Sequence, residues 1–182
     1  MVKLSIVILS YNTKNLTLNC LKSILDRYKD SSSFEIIVVD NNSTDGSPQV
    51  VDNLKTKISN LKLIKNKANF GFSKGNNIGV KEAKGSYILF LNSDTEIKDL
   101  GFFDMVSFLE SNPNIGILGG KLLNTDGSIQ PSSGKFYNLF NVIITLLGGE
   151  RLGFVRKTPE KIEQIDWVSG ACMMVKKDIF LK

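Results

Sequence analysis

An amide, a hydroxyl and a carboxylate stand in a row at Asn92-Ser93-Asp94, directly after the apolar run Tyr87-Ile88-Leu89-Phe90-Leu91. Such oxygen ligands suit a hard cation that carries a phosphate, since Mg²⁺ usually takes one or two protein carboxylates and fills its other positions with water and phosphate oxygens. Polar residues after a strand are more often plain turn formers, so the triplet gains weight only from its neighbours. Two more polar groups follow apolar runs in the same way. Tyr11-Asn12 comes after Leu4 to Ser10, and Asp40 closes Phe34-Glu35-Ile36-Ile37-Val38-Val39. Ligands of open α/β sheets collect outside the carboxyl ends of the strands. An aromatic ring to stack on a base, a carboxylate to accept from base or ribose donors, and a metal position for a diphosphate would then line one cleft.

The elements that must position these groups alternate. Leu4 to Ser10 predicts a strand, and Leu16 to Tyr28 a helix with Leu18, Leu21, Ile24, Leu25 and Tyr28 on one side. Phe34 to Asp40 predicts a second strand, joined to the first by a parallel crossover. Ser47-Pro48 reads as an N-cap with proline at the first helical position, opening a helix to Ile58. Leu61 to Lys65 is a short third strand. The stretch Asn66 to Asn77 interleaves glycines and asparagines with Phe70 and Phe72, which marks a ligand-facing loop. A helix from Asn76 to Ala83 follows, with Gly85 where a C-terminal cap is expected. Tyr87 to Leu91 predicts a strand buried on both faces, Leu100 to Glu110 a helix, and Ile115 to Gly119 another buried strand.

Beyond Gly119 the alternation stops. Asp126-Gly127 between Lys121–Leu123 and Ser128–Gln130 is a hairpin signal. Phe140 to Leu147 is an apolar run of less than half a membrane span, read as a helix packed on the core, with contact to a membrane surface as the alternative. Glu150 to Lys161 is polar and basic and reads as a mobile loop or lid. Ala171 to Val175 predicts a last buried strand, and the chain stops as Lys176 to Phe180 begins a helix, which reads as an incomplete domain. The expectation is one α/β domain over 1–182, with a nucleotide-binding half at 1–120 and the start of an acceptor-side half at 121–182.

The 182 residues suffice to bury a core. The net charge of +5 is spread along the chain, which argues against a nucleic-acid stripe and leaves a mild attraction to anionic substrates or an anionic membrane surface. With no histidine, a Ser-His-Asp triad, a Cys-His pair and any histidine-ligated metal site are excluded within this chain. Cys20 and Cys172 are expected to be buried thiols, which fits a reducing cytosol. No signal peptide or membrane-spanning run is visible, so the expected location is the cytoplasm, with the inner face of the plasma membrane as a peripheral variant. After the first strand stands Ser10-Tyr11-Asn12-Thr13-Lys14 in place of a Gly-x-Gly-x-x-Gly or P-loop sequence, which disfavours both of those folds.

Taken together, Ser5 to Asn12, Ile36 to Ser47, Asn69 to Asn77 and Leu91 to Thr95 resemble the family 2 inverting glycosyltransferases. Lys121 to Ser128 and Asp166 to Ala171 are similar to its rhamnosyltransferase-like branch. The resemblance implies a GT-A type fold, a nucleotide-diphosphate-sugar donor, a saccharide or lipid-linked acceptor in cell-surface polysaccharide synthesis, and Mg²⁺ or Mn²⁺. By it, Tyr11, Asn12, Asp40 and Asn42 would hold the nucleoside, and Asn69, Lys74 and Asn76 would face ribose and diphosphate. Asn92 and Ser93 would line the donor site and Asp94 would bind the metal. Trp167, Ser169 and Gly170 would belong to the acceptor or sugar side. The family's metal motif is commonly Asp-x-Asp, and here Asn92 takes the first place.

An inverting transfer needs a carboxylate base opposite the departing diphosphate. In the family that base belongs to an acidic motif expected beyond residue 182. Asp166 is the candidate within the chain, against a structural role at the Ser169-Gly170 turn. The fragment is therefore expected to bind nucleotide-sugar weakly and to turn over little. Two rival classes are a nucleotidyltransferase, which would carry a glycine-rich basic loop where Tyr11 to Asn15 has no glycine, and a non-catalytic nucleotide-sugar-binding module.

Overall fold

The β-branched runs Ile6-Val7-Ile8 and Ile36-Ile37-Val38-Val39 favour extended backbone, and with the apolar run of residues 88–91 they lie in strands paired in parallel register. β1 (Leu4–Ser10) pairs with β2 (Phe34–Asp40) and with β4 (Tyr87–Asn92), and β2 pairs with β3 (Leu61–Lys65). In the computed structural model, which describes residues 2–28, 32–99, 101–136, 138–146 and 158–182, the six-stranded sheet has the order β3-β2-β1-β4-β10-β5. β5 is Ile117–Gly119 and β10 is Cys172–Lys176. β2 is buried at every position. Helices α1 (Lys14–Arg27), α2 (Ser47–Lys55), α3 (Gly71–Glu82) and α4 (Gly101–Ser111) alternate with the strands. The chain divides into two units, Met1–Leu118 with Met174–Lys182, and Gly119–Met173. The chain's last residues, α6 (Lys177–Phe180) among them, belong to the first unit.

Four expectations on the first unit are corrected. The ligand-facing loop expected up to Asn77 ends at Phe70, because α3 already begins at Gly71, and Lys74, Gly75 and Asn76 are helical. Glycine and asparagine are poor helix formers. Packing decides otherwise, because the bare backbone at Gly75 and Gly79 lets α3 approach the sheet: a Cβ on Gly79 would lie 2.5 Å from Val7 Cγ1 and 3.1 Å from Val39 Cγ2. Gly85 is no left-handed cap. Its N–H donates to Ser5 Oγ at 2.8 Å, and a Cβ there would run into the backbone of Leu4 and Ser5. The N-cap of α2 is Gly46 at φ +88, with Ser47 inside the helix. β5 is short and half exposed, Ile117 in particular, in place of the expected buried strand.

In the second unit β6 (Leu122–Leu123) and β7 (Ile129–Gln130) form the expected antiparallel hairpin. β8 (Ser133–Gly134) pairs antiparallel with β9 (Trp167–Val168). α5 (Leu139–Leu146) carries the apolar run, yet Leu139, Val142, Ile143 and Leu146, at helical spacing, are all exposed rather than packed on a core. The expected lid at Glu150 to Lys161 lies outside the described residues as far as 157. No helix among the described residues is long and apolar enough to cross a membrane.

Candidate functional site at the strand ends

Register sets the site. Ser10 of β1 stands opposite Asp40 of β2, and Leu9 stands opposite Asn92 of β4, so Tyr11, Asp40 and Asn92-Ser93-Asp94 leave the sheet at one edge. Tyr11 is 47% exposed, as a ring offered for stacking must be. Asn12 takes the left-handed conformation, φ 53, as does Asn42, φ 67. Asparagine tolerates that region better than other residues with a Cβ. The turn is then tied across to the β2–α2 loop: Asn12 N–H donates to Ser43 Oγ at 2.9 Å, and Asn12 Oδ1 accepts from Thr44 N–H at 2.8 Å.

Asp40 is only 2% exposed. Its Oδ2 accepts from Ser43 N–H at 2.9 Å, while Oδ1 has no partner among the described residues. An unsatisfied buried acceptor costs about 1–3 kcal/mol, which makes this oxygen a candidate to accept from a ligand's donor. Asn41 beside it is fully engaged. Its amide donates to Asn69 Oδ1 and to Gly71 carbonyl, each at 3.2 Å, and its oxygen accepts from Asn66 at 2.8 Å. Asn69 Oδ1 also accepts from Gly71 N–H at 2.9 Å, which fixes the entry to α3. Lys74 Nζ lies 4.1 Å from the centroid of the Phe70 ring. Asn76 is buried, and its amide donates to Phe72 carbonyl at 3.1 Å.

At the end of β4, Asn92 is half-buried, Ser93 buried and Asp94 exposed. The Ser93 hydroxyl lies 3.1 Å from that of Thr13. Beneath them Cys20 Sγ lies 3.7 Å from Asn92 carbonyl. Burial pushes the Cys20 thiol up to about 12, and the charges of Asp94 and Glu96 push the same way. Cys20 is thus a neutral floor under an anionic loop. Asp45 closes the other side: burial raises its carboxyl, but the bonds it accepts from Ser47 Oγ, Lys14 N–H and Ser47 N–H outweigh that and hold it below the usual carboxylate range.

Among the described residues no group of three or more His, Cys, Asp or Glu could hold a metal ion. Asn92, Ser93 and Asp94 are nevertheless a fitting donor set for a hard cation that arrives with a diphosphate, which itself supplies oxygen ligands. Cavities of about 330 Å³ beside Asn19, Lys22 and Glu96 and about 430 Å³ beside Lys84, Ser86 and Asp178 do not include Tyr11, Asp40 or Asp94. Register and chemistry, not enclosure, mark the strand-end residues.

The second unit holds the remaining candidates. Asp166 Oδ2 accepts from Phe136 N–H at 2.9 Å, and Asp166 N–H donates to Gly134 carbonyl at 3.1 Å. Trp167 Nε1 donates to Lys135 carbonyl at 3.0 Å. Ser169 N–H donates to Ser132 carbonyl at 2.7 Å, its hydroxyl accepts from Ala171 N–H at 3.2 Å, and Gly170 lies in the turn between. Sequence reasoning did not single out Thr13, Asn41, Asp45 or Asn66. The hydroxyl pair Thr13 and Thr17, one helical turn apart, was the available signal for the first.

A mostly parallel α/β sheet with its polar groups gathered at the carboxyl ends of three neighbouring strands is the GT-A type of architecture, and solved structures share it. The chain aligns with crystallised TarS 1-349 of S. aureus in complex with UDP at a TM-score of 0.63 and 29% identity, covering 74% of this chain and 40% of that one. Its fold also matches a mannosyltransferase from Pyrobaculum calidifontis in complex with GDP-Man and Mn²⁺, at a TM-score of 0.61, 21% identity, 67% of this chain and 36% of that one. The sequence model of glycosyl transferase family 2 matches residues 5–182, and the chain belongs to that family. Among curated relatives, a poly(ribitol-phosphate) beta-glucosyltransferase of Bacillus spizizenii is 36% identical over 132 residues, 72% of this chain and 21% of the relative. The poly(ribitol-phosphate) beta-N-acetylglucosaminyltransferase TarS of Staphylococcus aureus is 30% identical over 134 residues, 73% of this chain and 23% of the relative. The chain therefore spans about a fifth of the length of these relatives.

Proposed function

We propose that the chain is the donor-binding part of a glycosyltransferase that moves a sugar from a nucleoside diphosphate to a saccharide or lipid-linked acceptor, with inversion, in cell-surface polymer synthesis. The observation that carries the donor site is Asp40 Oδ1, buried without a partner among the described residues at the edge where Tyr11 and Asp94 also emerge. In this reading Tyr11 stacks on the base, and Asp40 accepts a base or ribose donor between the left-handed turns of Asn12 and Asn42. Asn69, Lys74 and Asn76 face ribose and diphosphate from the start of α3, and Asn92, Ser93 and Asp94 hold the metal end. A bound Mg²⁺ or Mn²⁺ would neutralise charge developing on the leaving diphosphate. The relatives' names favour a polyol-phosphate polymer as the class of acceptor, and Trp167, Ser169 and Gly170 are the residues proposed to face it.

No residue of this chain is proposed as the base, because the Asp166 carboxylate serves the strand pair of the second unit. A peripheral position on an anionic membrane is proposed from the exposed apolar side of α5, and flotation with anionic vesicles tests it.

Calorimetric titration with UDP, dTDP and GDP in Mn²⁺ tests the donor site. At least one is expected to bind, and Asp94→Ala is expected to remove the Mn²⁺-dependent part while leaving the thermal midpoint unchanged, since Asp94 is exposed. Binding to none of the three would sink the proposal.

A further inference from the structure

A threonine at the N-cap of a helix ordinarily spends its hydroxyl on the orphan N–H groups of the first turn. Thr13 is the N-cap of α1, with φ −128 and ψ 40, and makes no such bond. The work is done from another loop, because Lys14 N–H donates to Asp45 Oδ2 at 2.8 Å. The Thr13 hydroxyl is thereby released into a different set of contacts. It lies 3.1 Å from the hydroxyls of Ser10, Thr17 and Ser93, and Ser10 lies 3.0 Å from Thr17. Ser10, Thr13 and Thr17 belong to one turn and its helix. Ser93 is the outsider, 80 residues away in sequence and immediately before Asp94.

We infer that Thr13 is a positioning residue for the metal end of the donor site: its hydroxyl fixes Ser93, and through Ser93 the direction in which Asp94 leaves β4. This rests on the donor-site reading above and adds a residue to it. The chemistry is consistent with burial. Ser93 is buried, so its hydroxyl needs a partner in the protein, whereas Asp94 is exposed and takes its direction from the residue before it. The same turn is bound to Ser43 and Thr44 through Asn12, so Thr13 holds the metal end against a frame that is itself fixed to the nucleoside side.

The test is the gain in UDP affinity that Mn²⁺ confers, measured by calorimetry on the whole chain. Thr13→Val keeps the shape and deletes the hydroxyl. The gain is expected to fall about fivefold, the worth of one neutral hydrogen bond, with metal-free UDP affinity unchanged. Thr13→Ser is expected to restore the gain. A full gain in Thr13→Val overturns the inference while leaving the donor site standing, and equal losses with and without Mn²⁺ overturn it as a merely structural role. A wild-type chain that binds no UDP in either condition overturns the donor site and this inference together. The cycle with Ser93→Ala reads the same contact from its other side: the double variant is expected to lose no more than Ser93→Ala alone, and additive losses contradict the proposal. Thr13→Ala replaces Thr13→Val should the valine variant not fold.

Discussion

The tetrapeptide Thr-Asp-Gly-Ser occurs twice, at residues 44–47 and at 125–128, and builds the same local turn both times. Asp45 Oδ1 accepts from the N–H and hydroxyl of Ser47 at 2.9 and 2.5 Å, and Asp126 Oδ1 accepts from those of Ser128 at 2.9 and 2.6 Å. The glycine between is left-handed in each, φ 88 at Gly46 and φ 85 at Gly127. Here the likeness ends. The first copy is followed by Pro48 and opens a helix, and the second is followed by Ile129 and closes a hairpin. Asp45 has a second oxygen bonded to Lys14 N–H, 31 residues away, whereas the bonds of Asp126 stay within its own turn. Identical residues make identical turns, and contacts distant in sequence decide which of them belongs to a site.

Three pairs of substitutions break or sharpen that comparison. The strands leading into the two turns differ most. Ile37 of β2 is fully buried, so Ile37→Ala is expected to cost about 2–5 kcal/mol through the cavity it leaves. Leu123 of β6 is 44% exposed, and Leu123→Ala is expected to leave the midpoint of urea unfolding nearly where it was. Equal losses in the two would mean that the second turn rests on as much core as the first.

The next effect is at the helix starts that Asp45 bonds. Asp45→Ala removes acceptors from Ser47 and Lys14 at the starts of two helices, and a loss of about 1 kcal/mol is expected by chemical denaturation, the usual worth of an N-cap. Asp126→Ala, fully exposed and bonded only within its turn, is expected to leave global stability unchanged.

The smallest effect is on the acid limb. The Asp45 carboxyl lies below its ordinary value of 3.8, so its contribution to stability is present above that pH and is lost as pH falls through the lowered value. Asp45→Asn should therefore flatten the dependence of the thermal midpoint on pH below about 4, the ordinary carboxylate range. Asp126 is also lowered, through Ser128, so Asp126→Asn should flatten the acid limb too, but less than Asp45→Asn, because Asp126 lacks a bond like the one from Lys14 N–H. An unchanged acid limb in Asp45→Asn would contradict the tether to Lys14.

The same contrast explains how much could be read in advance. β1, β2 and β3 were legible to the residue, β1 and β2 from the β-branched runs Ile6-Val7-Ile8 and Ile36-Ile37-Val38-Val39, and β3 from Leu61 and Leu63 alternating with Lys62 between flanking polar residues. The order of polar groups after those runs brought Tyr11, Asp40 and Asn92-Ser93-Asp94 to one edge without any coordinates. The start of α3 was not legible, since its asparagines and glycines signal a loop and only the approach to Val7, Leu9 and Val39 makes the helix favourable. Nor was the exposure of α5, because an apolar run is the same in sequence whether covered or bare. The Asn41–Asn66–Asn69 and Thr13–Ser93 contacts join segments 25 to 80 residues apart, and neither periodicity nor propensity carries information at that range.

Amide hydrogen exchange with and without UDP and Mn²⁺ tests most directly whether the ends of β1, β2 and β4 form the donor site. Exchange is expected to slow within 10–14, 40–47 and 92–95 and to stay unchanged within 122–130 and 166–170. Slowing confined to the second pair of segments, or absent from the first three while calorimetry shows UDP bound, would contradict the account.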